Sequence, residues 1–209
     1  MQKIIPLLIV CLLIIGCAGQ SPSFGNFMAE ENLYVNYTGI YGDTYTEQLI
    51  SKATEESNAK YKEERDFKAA IGVIREKTIR FGAEVGTDGF TSILGYKWKN
   101  IGLMTWGNLS LFGIDGGIAF MQANRWNKYL MSGLSEYISR NGVNVWSDDY
   151  GLFKSYSIND EFNEIGLGAY SFVSVSKWSK WGLTIEGRIG KEIGTSNWRY
   201  YFTMGFYWD

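Results

Sequence analysis

The last twelve residues, Trp198 to Asp209, read WRYYFTMGFYWD. Taken in steps of two they give Trp198, Tyr200, Phe202, Met204, Phe206 and Trp208, all large and apolar or amphipathic. A period of two alternates the faces of a β-strand, so these six side chains share one face. The other face holds Arg199 and Gly205. A strand with so bulky a stripe on one side needs either a large core or lipid against it.

The same alternation recurs upstream over residues 33–41, 79–87, 90–99, 101–112, 114–121, 164–177 and 182–193, with Asp88-Gly89 as the clearest hairpin turn. Eight strands of this kind, each joined to its sequence neighbour, predict an all-β fold, an eight-stranded antiparallel up-and-down barrel whose closure removes exposed edges. The two long connections, 42–78 and 122–163, are the first and the fifth, so both fall at the same end of the barrel. Short turns at one end and long loops at the other are the asymmetry of outer-membrane barrels.

Side-chain phase divides these strands. One face collects Phe81, Val85, Leu94, Tyr96, Trp98, Leu103, Leu109, Ile118, Phe120, Ile165, Leu167, Val173 and Ile185. The other collects Arg80, Glu84, Lys97, Asp115, Glu186, Arg188 and Arg199 together with several glycines. An eight-stranded barrel has an interior just wide enough for its own side chains, and the apolar stripes would overfill it. The apolar face therefore points to lipid, and the charged residues form an ion network in the lumen, paired because buried charges must be. Trp98, Trp181, Trp198 and Trp208 fall near strand ends, where amphipathic rings favour the membrane interface.

Over roughly residues 33–208 this pattern resembles the small eight-stranded outer-membrane barrels of Gram-negative bacteria. Alternating aromatics at the C-terminus resemble the recognition signal of the barrel-assembly machinery, with Phe202, Phe206 and Trp208 in place and Asp209 as a departure. The N-terminus carries a second resemblance. Lys3 precedes the apolar run 4–15, which suits a signal sequence and is too short for a transmembrane helix. Leu13-Ile14-Ile15-Gly16-Cys17 resembles the lipobox of bacterial lipoproteins. That resemblance implies removal of residues 1–16 and lipidation of Cys17, with palmitate-type acyl chains. It also implies passage through the lipoprotein-export machinery, and Ala18 in place of aspartate favours the outer membrane. Residues 17–32 are then a lipidated N-terminus and tether, and 33–209 a single barrel domain.

Composition narrows the chemistry. The formal charge is −2, or −3 without Lys3, which gives no case for nucleic acid. Histidine is absent, removing the commonest general base and metal ligand. Proline occurs only at Pro6 and Pro22, so no strand is interrupted by it. Residues 44–68 show helical spacing and a dense charge run, predicting a short helical insertion. The segment 122–163 contains Trp126, Tyr129, Trp146, Tyr150 and Phe153, aromatic content suited to contact with a surface protein or a glycan. The acids Asp148, Asp149, Asp160, Glu161 and Glu164 match no calcium-loop spacing, so no metal site and no cofactor is expected.

Three functional classes follow. The first is a non-enzymatic outer-membrane barrel acting in envelope structure or through surface loops, with outer-membrane lipid as its constant partner. The second is a lipid-anchored soluble barrel carrying an apolar ligand; it resembles a lipocalin in outline but lacks that family's Gly-x-Trp. The third is an outer-membrane lipid-modifying enzyme, for which no serine sits beside a readable base. The first is the expected function, with no enzymatic activity.

Overall fold

The structure, a computed structural model, describes residues 21–29, 32–41, 61–63, 67–87, 89–110, 113–127, 129–147, 157–174 and 181–208. After a five-residue helix, α1 (Phe24–Met28), come β1 (Asn32–Tyr41), β2 (Tyr61–Glu63), β3 (Phe67–Arg75), β4 (Ile79–Gly86) and β5 (Gly89–Trp98). The chain continues with β6 (Ile101–Ser110), β7 (Gly113–Arg125), β8 (Leu130–Ser147), β9 (Ser157–Ser174), β10 (Trp181–Glu192) and β11 (Trp198–Trp208). All pairings are antiparallel. β1 lies between β3 and β11, the remaining strands follow sequence order, and β8 pairs with β9 to close the ring. The ring has ten strands; β2 stands outside it, pairing with the far end of β8 through Lys62 and Trp146.

The expected count of eight strands is thus corrected to ten, and each expected long loop hides one of the extra strands. β3 falls within 42–78 and β8 within 122–163, while β9 starts at Ser157, earlier than predicted. Neither extra strand has a clean pattern. In β3 the faces contrast weakly, with Ile71 outside and Ala70 and Ile74 beside Lys68 inside. In β8 the outer face mixes Leu134 and Ile138 with Glu136 and Arg140, and the inner face carries Tyr137 among serines. The helical insertion predicted for 44–68 lies mostly outside the described residues, and its described part, 61–63 and 67–68, is strand.

Adding two strands leaves the end-to-end asymmetry intact. The turns at 76–78 and 99–100, the facing ends of β7 and β8, and the strand ends at Ser174 and Trp181 share one end with the start of β1 and the finish of β11, the turn end. The strand ends at Tyr41 and Phe67, and at Ser147 and Ser157, lie at the other, the loop end. There β8 and β9 stay paired up to Trp146 and Ser157, well past the last residue of β10 at Glu192, which pairs with Glu164.

The faces are as the phase predicts. Phe81, Leu94, Trp98, Leu103, Leu109, Ile118, Phe120, Ile165 and Leu167 point outward, as do Trp198, Tyr200, Phe202, Met204 and Phe206. Ionic side chains share that surface at Glu136, in register with Phe120 and Leu167, at Arg140, and at Lys191, whose ammonium lies 5.7 Å from the Trp198 ring centroid. Exposed Trp98, Trp126, Tyr129 and Trp181 ring the turn end, and Tyr41, Phe90, Trp198 and Tyr200 ring the loop end.

The inside is not solely ionic. Ile74, Ile93, Met104, Trp106, Ala119 and Met121 form an apolar layer in the lumen around Phe24, Phe27 and Met28 of α1. A ten-stranded barrel is wider than its own side chains can fill, and α1 takes up the excess. The tether expected over 17–32 is therefore corrected in its described part: residues 24–28 are fully buried.

Candidate functional site

The residues read from the sequence as a lumen network do face the lumen. Arg80, Glu84, Asp115, Glu186, Arg188 and Arg199 are buried there and Lys97 is half-buried. They form several centres. Glu84 is paired with Lys68 across the strands and accepts a hydrogen bond from the Tyr34 hydroxyl at 3.0 Å. Glu186 Oε1 lies 3.2 Å from Arg188 Nε on the same strand. Arg199 Nε lies 3.4 Å from Glu192, with its guanidinium 3.9 Å from the Phe162 ring centroid. Asp115 sits apart near the loop end, in register with Asn108.

What the network holds is the N-terminal segment. Ser23 caps α1, accepting a hydrogen bond from the Asn26 N–H at 3.2 Å. Glu186 Oε2 accepts from the Ser23 hydroxyl at 3.0 Å and from the Gly25 N–H at 3.1 Å, satisfying one of the amides that a helix start leaves open. Asn26 bridges the barrel: its amide donates to Asn36 at 2.8 Å and its oxygen accepts from Thr184 at 2.6 Å. At the other end of the helix Lys97 donates to the carbonyls of Met28 at 2.6 Å and Ala29 at 2.9 Å. Arg80 donates to the Phe27 carbonyl at 2.5 Å and also to that of Ala29. The exposed carbonyls of a helix C-terminus are thus met by two cations. Arg188 donates to the Ser21 hydroxyl and lies over the Phe24 ring at 5.1 Å.

Small residues make room for this plug. A side chain at Gly95 would come within 2.6 Å of the Phe27 ring, and one at Gly102 would strike Met28. Gly25 is the reverse case, since a Cβ there would stand 2.5 Å from a Thr184 methyl group. Phe24 packs between Trp106 and Tyr137, with ring centroids 5.9 and 5.6 Å away.

Nearer the loop end a second layer crosses the lumen. Glu164 accepts hydrogen bonds from Tyr137 at 2.6 Å and Tyr201 at 2.7 Å. Arg188 lies 4.9 Å from the Tyr201 ring centroid and joins this layer to the plug. Glu164, grouped in the sequence with nearby acids and placed at the start of a predicted strand, is an inward residue of β9. Tyr34, Lys68, Tyr137, Tyr201 and Glu192 were not legible as network members. Tyr34, Tyr201 and Glu192 alternate in phase with inward residues of the predicted strands, and that phase is the signal that finds them; Lys68 and Tyr137 belong to the two strands that no alternation marked.

The aromatic residues expected to share one interaction loop are separated. Trp126 and Tyr129 belong to the β7–β8 turn at the turn end, where the Trp126 indole donates to Ser132 at 2.6 Å. Trp146 lies in the far end of β8, toward the loop end. The spanning strand β8 divides what looked like one loop. Tyr150, Phe153, Asp148, Asp149 and Cys17 lie outside the described residues. Among the described residues no cluster of three carboxylate or thiol groups is arranged to hold a metal ion.

Chemically the lumen is a clamp. Its central carboxylates and cations are engaged with one another, with tyrosine hydroxyls or with residues 21–29. The fold and site together define a closed antiparallel barrel, apolar outside and polar within, occluded by its own N-terminal segment. No family model and no curated protein matches the chain. Among solved structures it is similar to Neisserial surface protein A, NspA, with 11% identity over 86% of this chain and 97% of that one, at a TM-score of 0.45. It is similar also to Ail, the attachment invasion locus protein of Yersinia pestis, at 10% identity over 86% and 99% with a TM-score of 0.38. A third likeness is to the N-terminal β-barrel domain of Pseudomonas aeruginosa OprF, at 8% identity over 86% and 98% with a TM-score of 0.36.

Proposed function

We propose that this protein is an outer-membrane lipoprotein. It spans the membrane as a plugged ten-stranded barrel, is anchored in addition through Cys17, and acts without catalysis, in envelope structure or through contacts made at its loop end. The observation that carries this reading is the inversion of the two faces. Large apolar side chains from Phe81 to Phe206 are exposed around the wall, while Arg80, Glu84, Glu186, Arg188 and Arg199 are buried within. In water such a surface would be a continuous aggregation-prone band; in a bilayer it matches its solvent. The aromatic rings at both strand ends and the even strand number support the same assignment.

The loop end then faces outward from the cell, and the paired extension of β8 and β9 with β2 alongside is the surface offered to a protein or glycan. Assembly would use the barrel-assembly and lipoprotein-export machinery. A lipocalin-like carrier is disfavoured because α1 occupies the place of its cup. The absence of histidine from the whole chain disfavours a lipid-modifying enzyme.

The test separates barrel from anchor. Residues 1–17 are replaced by a cleavable non-lipoprotein signal, and the outer membranes are washed with carbonate and urea. Retention, with a heat-modifiable gel mobility, is the expected result. Release as a folded soluble protein would overturn the membrane-spanning reading.

A further inference from the structure

The plug has a direction, and the direction constrains the anchor. Ala29 and Met28 are held by Arg80, next to the start of β4, and Lys97, next to the finish of β5; both strand ends border turns of the turn end. Ser21 is held by Arg188, well up β10, and Phe24 packs on Trp106 and Tyr137 beside the loop-end layer of Glu164. From Ala29 back to Ser21 the chain therefore climbs from the turn end towards the loop end. Only then does β1 begin, again at the turn end, with Asn32 donating to the Asn26 carbonyl at 3.1 Å.

Cys17 stands four residues before Ser21, a reach of about 14 Å when fully extended. Arg188 lies on β10 between Trp181 at the turn end and Glu192 at the loop end. With strands rising about 3.3 Å per residue and tilted about 40°, it is about 10 Å below the loop-end rim and about 18 Å above the turn-end rim. Cys17 can reach the first rim. The second is beyond its reach, and the way back is filled by α1. The β10–β11 wall is also the low side of the mouth, since β8 and β9 rise higher, and exposed Ile193, Trp198 and Tyr200 line its outer surface.

From this we infer that the N-terminus is threaded through the lumen and that acylated Cys17 is displayed at the outer surface, its chains passing over the β10–β11 rim into the outer leaflet. This rests on the lipidation of Cys17 proposed above. Anchorage in the periplasmic leaflet and a seated plug exclude one another. The lumen clamp then fixes the side of the membrane on which the lipid ends.

The full-length protein carrying Gly19→Cys tests this, because with Cys17 acylated and Cys11 removed its only free thiol lies between anchor and plug. Whole cells are treated with a PEG-maleimide too large to cross the outer membrane, and labelling is compared with permeabilised cells and with denatured protein. Mass spectrometry of the mature N-terminus reports acylation. A second variant, Gly25→Cys with Thr184→Cys, reports by disulfide formation whether the plug is seated. Expected are an acylated Cys17, a formed disulfide and labelling on intact cells equal to that after permeabilisation. An acylated Cys17 with labelling only after permeabilisation, or with no labelling before denaturation, overturns the threading alone. An unacylated N-terminus overturns the anchor reading and this inference with it.

Discussion

The two faces of β11 differ in what they ask of a side chain. Outside, on the membrane-spanning function proposed above, Phe202, Met204 and Phe206 need only be apolar, because lipid conforms to any shape. Inside, Arg199, Tyr201, Thr203 and Tyr207 each need a particular partner, because they are buried and a buried polar group left unpaired is costly. Thr203 meets Thr38 at 2.8 Å, Tyr201 meets Glu164, and Arg199 meets Glu192. The wall should therefore tolerate many substitutions, and the lumen few.

The largest break in that contrast should come from Glu186→Ala. It strands Arg188 as a buried charge and releases the Ser23 and Gly25 ends of the plug, so a loss of about 3–5 kcal/mol is expected. Urea unfolding followed by heat-modifiable mobility measures it; a loss within experimental error would show that the clamp carries no weight. Next in size is Phe202→Arg, midway along the lipid face, at about 2–4 kcal/mol, whereas Phe202→Leu should be nearly silent. Equal effects of the two substitutions in detergent and in bilayers would mean that this face does not meet lipid.

A smaller loss, about 1.5 kcal/mol, is expected for Tyr201→Phe, which removes one hydrogen bond to the buried Glu164 carboxylate. Combining it with Tyr137→Phe should be worse than additive, since both hydroxyls serve the same carboxylate and their joint loss leaves both its oxygens without these donors. The smallest effect belongs to Glu136→Leu. An acidic residue on the lipid side is tolerated better than a basic one, so the change should stabilise the barrel by under about 1 kcal/mol. A clear destabilisation there would identify Glu136 as a contact residue on the wall.

Much of this molecule was written in local alternation. The final stripe from Trp198, the phase of β4 to β7, β10 and β11, the inward set of Arg80, Glu84, Glu186, Arg188 and Arg199, and the common end of the long connections follow from a period of two. Periodicity needs contrast between faces, and it fails where contrast is weak. β3 carries apolar residues on both sides, its one inward charge, Lys68, merging with the adjoining charge run, while β8 carries Glu136 and Arg140 outside and Tyr137 inside. Both strands are held by their neighbours' ladders and by the closure of the ring, which are non-local. The plug was illegible for a related reason. Five residues, FGNFM, have too short a span for a helical pattern, and their burial depends on a lumen that exists only once ten strands have closed. Sequence alone determined which way each clear strand faces, because that is set within the strand. Only the tertiary structure decided how many strands there are, what fills the space between them and which way the N-terminus runs, because those depend on partners far away along the chain.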